Sequence, residues 1–194
     1  MVNSQNRNEI EVELKRIFGE NNVIREWNVA KNSMDQLTRE LYCPRVDFAV
    51  GPFNIDLNLE YNNSLINSAY ESFGDLLQRL KLASDPMNEQ FSANQNPRCF
   101  LVIELENKTS RKHRLGSLYN ASAIGKIGVV VAKNAQVYSS LVKIRKYFEF
   151  LKNVWKSPYA PKNIMILTEF DFLRVLRKYP RIRINTRSLD RHEG

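Results

Sequence analysis

A chain of 194 residues, 43% hydrophobic and 26% charged, is long enough to bury a core unaided and too evenly mixed to be disordered or fibrous. Lys and Arg outnumber Asp and Glu by 29 to 21, and the net charge of +8 favours a polyanionic partner without identifying one. No apolar run approaches the ~18 residues of a membrane-spanning helix, residues 1–7 carry no apolar leader, and the cysteines number 2; the expectation is a cytoplasmic, reducing setting with no membrane partner.

Ile10, Leu14, Ile17 and Phe18 recur at helical spacing and predict an amphipathic surface helix over 8–19. Val23, Arg25, Trp27 and Val29 alternate and predict a strand over 22–29, leading into a polar loop at Lys31, Asn32 and Ser33. The segment 45–50, the turn signal Gly51-Pro52 and the alternating segment 53–60 read as a β-hairpin. Leu65, Ala69, Phe73, Leu76, Leu77 and Leu80 predict one helix over 64–82, stopped by Ser84-Asp85-Pro86, and a polar Asn/Gln-rich loop follows over 87–98.

The run 99–103 predicts a buried strand that passes into Glu104, Glu106 and Lys108. Leu115, Leu118, Tyr119 and Ile124 predict a helix ended by Gly125. A second buried strand over 127–132, a long amphipathic helix over 137–155 with Leu141, Ile144, Tyr147, Phe148 and Leu151 on its apolar face, and a strand over 163–168 complete the pattern. Strands alternating with helices predict an α/β domain with helices on both faces of a central sheet, one domain over 1–184, with a polar tail over 185–194. Cys43 and Cys99 read as small buried hydrophobes, and Trp27 and Trp155 as core residues.

Alternate residues of a strand share a face, so Glu104, Glu106 and Lys108 project together from the end of an apolar strand. Carboxylates in such a place are costly unless they pair or bind a cation. Asp47, with Val46 and Phe48 on the other face of an earlier strand, would come within reach of Glu106 if the two strands are neighbours. An internal salt bridge between strand ends is the plain alternative, but three carboxylates against one lysine leave repulsion that a cation would relieve. Oxygen donors without His or Cys suit a hard ion such as magnesium or manganese rather than zinc.

At these residues the chain resembles the PD-(D/E)XK nuclease superfamily, the restriction-endonuclease-like fold. Pro44-Arg45-Val46-Asp47 corresponds to the first half of its motif and Glu106-Asn107-Lys108 to the acidic-x-Lys half. The order of elements over about 8–132 is similar too, with the remainder as an extension. The resemblance implies a central mixed sheet flanked by helices and a Mg2+- or Mn2+-dependent endonuclease acting on DNA, of restriction or repair type. In-line attack of a metal-activated water would leave a 5′-phosphate. Asp47 and Glu106 would be metal ligands, with Lys108 orienting the water or balancing charge. Glu104-Leu105-Glu106 offers a second register, in which Glu104 binds the metal and Glu106 takes the lysine's place.

The resemblance also implies that the leading helix can add an acid, for which Glu11 and Glu13 lie at the edges of its stripe; solvated glutamates are the plainer reading. Arg111, Lys112, His113, Arg114, Ser117 and Asn120 would border the substrate backbone. His113 has no second His or Cys at ligand spacing. Arg174, Arg177, Lys178, Arg181, Arg183 and Arg187 either track nucleic acid or solvate a helix. Cutting two strands needs two sites, hence a homodimer. The competing functions are a non-catalytic nucleic-acid-binding module that keeps the fold, and a protein-interaction domain whose charge keeps it soluble.

Overall fold

The computed structural model describes residues 4–32, 44–55, 60–84, 91–108, 110–157 and 160–180. Helix α1 (Ser4–Phe18) buries Ile10, Leu14, Ile17 and Phe18, the stripe read from the sequence, and ends at Gly19, whose φ of 92° suits a residue without a Cβ. Strand β1 (Val23–Asn28) follows. Lys31 and Asn32, expected in a loop, belong to a single helical turn, Val29–Asn32, while Ser33 lies outside the described residues.

Strand β2 (Arg45–Phe53) corrects the hairpin expectation by running through Gly51-Pro52, whose peptide bond is cis. β1 extends no further along β2 than Val50, and the ladder from β2 to β3 shifts register between Val50 and Phe53. Pro52 therefore sits where a missing N–H disrupts no regular pairing. No second arm forms among the described residues: Asn54 and Ile55 are irregular, 56–59 lie outside them, and helix α2 (Glu60–Ser72) begins.

The single helix expected over 64–82 is two, α2 and α3 (Gly74–Ala83). They meet at Phe73, whose ring packs 4.7 Å from that of Phe18 and 5.8 Å from that of Phe100. Helical spacing continues across the break, so periodicity alone hides it; Gly74, a weak helix former, is the local signal.

Strand β3 (Cys99–Glu106), helix α4 (Arg111–Ile124), strand β4 (Gly125–Ala132), helix α5 (Ala135–Asn153), strand β5 (Ile164–Thr168) and helix α6 (Glu169–Lys178) complete the described chain. The Asn134 side chain caps α5 by accepting the Val137 N–H, and Thr168 caps α6 by accepting that of Asp171, each satisfying a donor the helix leaves open. The strands form one open, mixed sheet in the order β1-β2-β3-β4-β5. β1, β2 and β3 pair antiparallel; β3, β4 and β5 pair parallel, with α4 and α5 as the crossovers that parallel pairing requires.

Helices α1, α2, α3 and α6 cover one face through Leu14, Ile66, Leu76 and Phe172 against Phe48, Ile103, Val129 and Leu167. α4 and α5 cover the other through Leu118, Ala121 and Leu141 against Ala49, Val102, Val130 and Ile166. A Cβ on Gly128 would stand 2.5 Å from Ile164 Cδ1 and 2.7 Å from the Ala121 backbone carbon, so α4 reaches the sheet only because residue 128 has no side chain. This is a single α/β domain in which β5, α5 and α6 belong to the same layers as the rest. Among the described residues, no helix is long and apolar enough to cross a membrane.

Trp27 and Cys99 are buried as expected, and Cys43 lies outside the described residues. Trp155 is not core: it is 95% exposed, because α5 ends at Asn153 and the chain turns through a φ of 60° at Trp155 itself.

Candidate active site

The antiparallel register of β2 and β3 sets Phe48 opposite Ile103, which brings Asp47 level with Glu104 one step along. The two carboxyl groups lie close enough for the charge of Asp47 to raise the cost of ionising Glu104. Val46 and Phe48, expected on one face, lie in the two separate apolar clusters, so the strand has turned at Asp47. Its carboxylate consequently points along the sheet: Oδ2 accepts the Leu105 N–H at 2.7 Å and Oδ1 accepts Arg7 Nη2 at 2.6 Å.

Glu104 is 7% exposed. Burial, then the charge of Asp47 and its hydrogen bond, then the charge of Glu106, push its carboxyl well above the usual carboxylate range, while a hydrogen bond with Asn120 of α4 pulls it down. Glu106 is buried as well; Oε1 accepts the Lys108 N–H at 2.6 Å and Oε2 accepts the Ser117 hydroxyl at 2.9 Å. The sequence expectation linked Asp47 with Glu106; the closer partner is Glu104.

Lys108 is exposed, and its carbonyl accepts Arg114 Nε at 2.9 Å. Arg111, Lys112 and His113 are exposed on the first turn of α4, whereas Arg114 is buried. Of Ser117 and Asn120, expected along a substrate backbone, the Ser117 hydroxyl donates to Glu106 and Asn120 favours the charged form of Glu104. Glu11 and Glu13 stay on the helix surface, the former paired with Lys15 at 3.0 Å and Arg25 at 3.1 Å, the latter with Arg16 at 2.7 Å. Arg174 pairs with Asp171 and Arg177 with Glu9, ties internal to the α1 and α6 layer. Arg181, Arg183 and Arg187 lie outside the described residues.

Two residues were not singled out from the sequence. Arg7, from the first turns of α1, bridges Asp47 and Glu26, and its guanidinium lies 5.8 Å from the centre of the Phe48 ring. Glu26 of β1 adopts a φ of 54°, rare for a residue with a Cβ, and also pairs with Arg45 at 2.7 Å. Glu26 lies level with Asp47 through the pairs Arg25 with Phe48 and Trp27 with Val46, a register that only the assembled sheet supplies. Nothing in the spacing of α1 marks Arg7.

No family model, curated protein or solved structure matches this chain. Function is read from the residues themselves. Among the described residues, no three His, Cys, Asp or Glu side chains form a ready-made cage for a metal ion. Magnesium, however, is commonly held by one or two carboxylates, with water and substrate phosphate completing its shell. The neighbouring carboxyl groups of Asp47 and Glu104, level with each other across β2 and β3, fit that demand, and a cation beside them would relieve the repulsion that Asp47 and Glu106 impose on buried Glu104.

Proposed function

We propose that the chain is a divalent-cation-dependent phosphodiesterase, an endonuclease on DNA with a restriction-endonuclease-like fold of the PD-(D/E)XK kind. The observation that carries the reading is the register that sets Asp47 level with buried Glu104, with buried Glu106 two residues further along the same strand. The order helix, three antiparallel strands, crossover helix and parallel strand supports the fold-level part, which is analogy and not chemistry.

Of the two registers, the reading favours Glu104-x-Glu106, because Glu104 lies level with Asp47 while Lys108 is exposed. Asp47 and Glu104 would hold Mg2+ or Mn2+, which when bound supplies Lewis acidity and lowers the pKa of water. Glu106 would stand in the lysine's place. One of its oxygens is fixed by the Lys108 N–H and the other by Ser117, an orientation suited to accepting a proton from the attacking water. Lys108, at the mouth of the site, would balance phosphate charge. Two copies acting together would cut both strands of a duplex, one site for each, in the cytoplasm.

The second reading is a nucleic-acid-binding module without turnover. Arg7 favours it, because its guanidinium supplies to Asp47 the positive charge that an ion would otherwise bring. Incubating supercoiled plasmid with the protein and magnesium, manganese, calcium or EDTA separates the two. Nicking that needs magnesium or manganese and is lost in Asp47→Ala, Glu104→Ala and Glu106→Ala supports the nuclease. Plasmid, branched DNA and RNA all left intact by well-folded protein would leave the binding module.

A further inference from the structure

Because β3 and β4 are parallel, the helices that follow them, α4 and α5, both begin at the sheet end where Glu104 and Glu106 lie. Between them runs a groove of about 710 Å³ lined by Arg111, Arg114 and Lys143, by Ser139 and Ser140, and by Tyr147, with no carboxylate in its wall. Arg114 joins this groove to the candidate site, since its Nε donates to the carbonyl of Lys108 at 2.9 Å.

Along α5, Gln136, Ser140, Lys143, Tyr147 and Phe150 recur in steps of three and four residues, which places them on one stripe. The stripe starts in the groove and runs onto open surface, where Tyr147 is 55% and Phe150 57% exposed. Lys146, three residues beyond Lys143, borders it, while the acid Glu149 is 3.7 Å from Arg145. Tyr147 was expected on the apolar, sheet-facing side of this helix; that side is instead made by Val137 and Leu141.

We infer that the groove and stripe form a track for single-stranded nucleic acid. Cations without competing carboxylates match a phosphate backbone, and exposed rings among them offer faces on which unpaired bases stack. A duplex keeps its base faces inside and could use the cations alone. The track supplies a substrate form to the phosphodiesterase reading and rests on that reading only for its place beside a reactive centre; binding follows from charge and exposed rings.

The test titrates labelled single-stranded and duplex oligonucleotides of about 20 nucleotides into the full chain by fluorescence anisotropy, with EDTA present so that cleavage plays no part. The single strand should bind at least about tenfold more tightly. Tyr147→Ala and Phe150→Ala should each weaken it by roughly 5- to 100-fold, the range for loss of one stacked base, with little change for duplex. Lys143→Gln and Arg111→Gln should each flatten the slope of log affinity against log salt by about 0.7, one phosphate contact on a single strand. Equal affinity for both forms, or insensitivity to the two ring substitutions, overturns the track. So does a dimer that dissociates on Phe150→Asp while no strand binds, which would give the stripe to a second copy of the chain. Strand binding without any cleavage would remove only the phosphodiesterase; cleavage without groove dependence would remove only the track.

Discussion

Replacing Glu104 by Gln isolates the charge of the candidate site from its shape. The carboxyl is 7% exposed and is raised by burial, by Asp47 and by Glu106, so a neutral amide of the same size removes both the desolvation and the repulsion while keeping a partner for Asn120. A folded-state pKa above the unfolded one contributes stability that is fully present below the unfolded value, near 4.5, and is lost as pH rises through the folded value. Wild type therefore carries a penalty that grows from about pH 4.5 upward, at no more than about 1.4 kcal/mol per pH unit for one proton. Glu104→Gln should match wild type near that lower limit and become the more stable protein as pH rises. The gain should widen from pH 5 to pH 8 at up to that slope, each kcal/mol appearing as about 2–4 °C in Tm for a chain of this length. Urea unfolding in EDTA at several pH values from 5 to 8 measures it. Magnesium should raise the Tm of wild type, because it binds only the folded state, and should do little for the variant. A variant less stable than wild type at pH 8, or a difference that does not vary with pH, would refute the idea that Glu104 is held under charge strain.

Other perturbations test neighbouring steps. Arg7→Gln should lower stability in EDTA by about 1–3 kcal/mol, since Asp47 and Glu26 lose their shared cation; it should also lower the magnesium concentration needed for half-maximal thermal stabilisation. An unchanged magnesium requirement would mean that Arg7 does not compete for Asp47. Gly128→Ala should cost about 1–3 kcal/mol by urea unfolding, as its Cβ would press on the Ala121 backbone and push α4 off the sheet. Gly74→Ala, with nothing within 4 Å of the added carbon, should be neutral to within about 0.5 kcal/mol.

The alternation of apolar runs was enough to read the α/β layers, because β3 and β4 are buried on both faces and such strands appear as unbroken hydrophobic stretches. Breaks were harder. Phe73 is apolar and keeps the helical spacing, yet it ends α2, since its ring is fixed against Phe18 and Phe100. Gly51-Pro52 carries a turn signature, yet it lies inside β2, past the reach of β1. Both outcomes depend on contacts distant in sequence. The carboxylates of β3 were legible because charge at the end of a buried strand is conspicuous; their partners on other elements were not. Pairing Asp47 with Glu104 rather than Glu106 follows from a register that only the assembled sheet supplies.

Nearly every level of this chain agrees with its fold: apolar stripes face the sheet, two helices carry side-chain caps and a glycine stands where two layers touch. Several departures gather in one neighbourhood. There Glu26 holds a left-handed backbone, Arg7 Nε is buried with no hydrogen-bond partner among the described residues, and Glu104 is buried against Asp47. Each feature opposes folding, and they share a network, since Arg7 joins Glu26 to Asp47 and the charge of Asp47 acts on Glu104 across the strand pair. Strain shared by one network is a reason to test that network for chemistry. If the network were structural, substituting Glu104, Arg7 and Glu26 together by neutral residues of matching size should yield a protein at least as stable that has lost nothing else. If it serves catalysis, the same protein should be stable and unable to cleave.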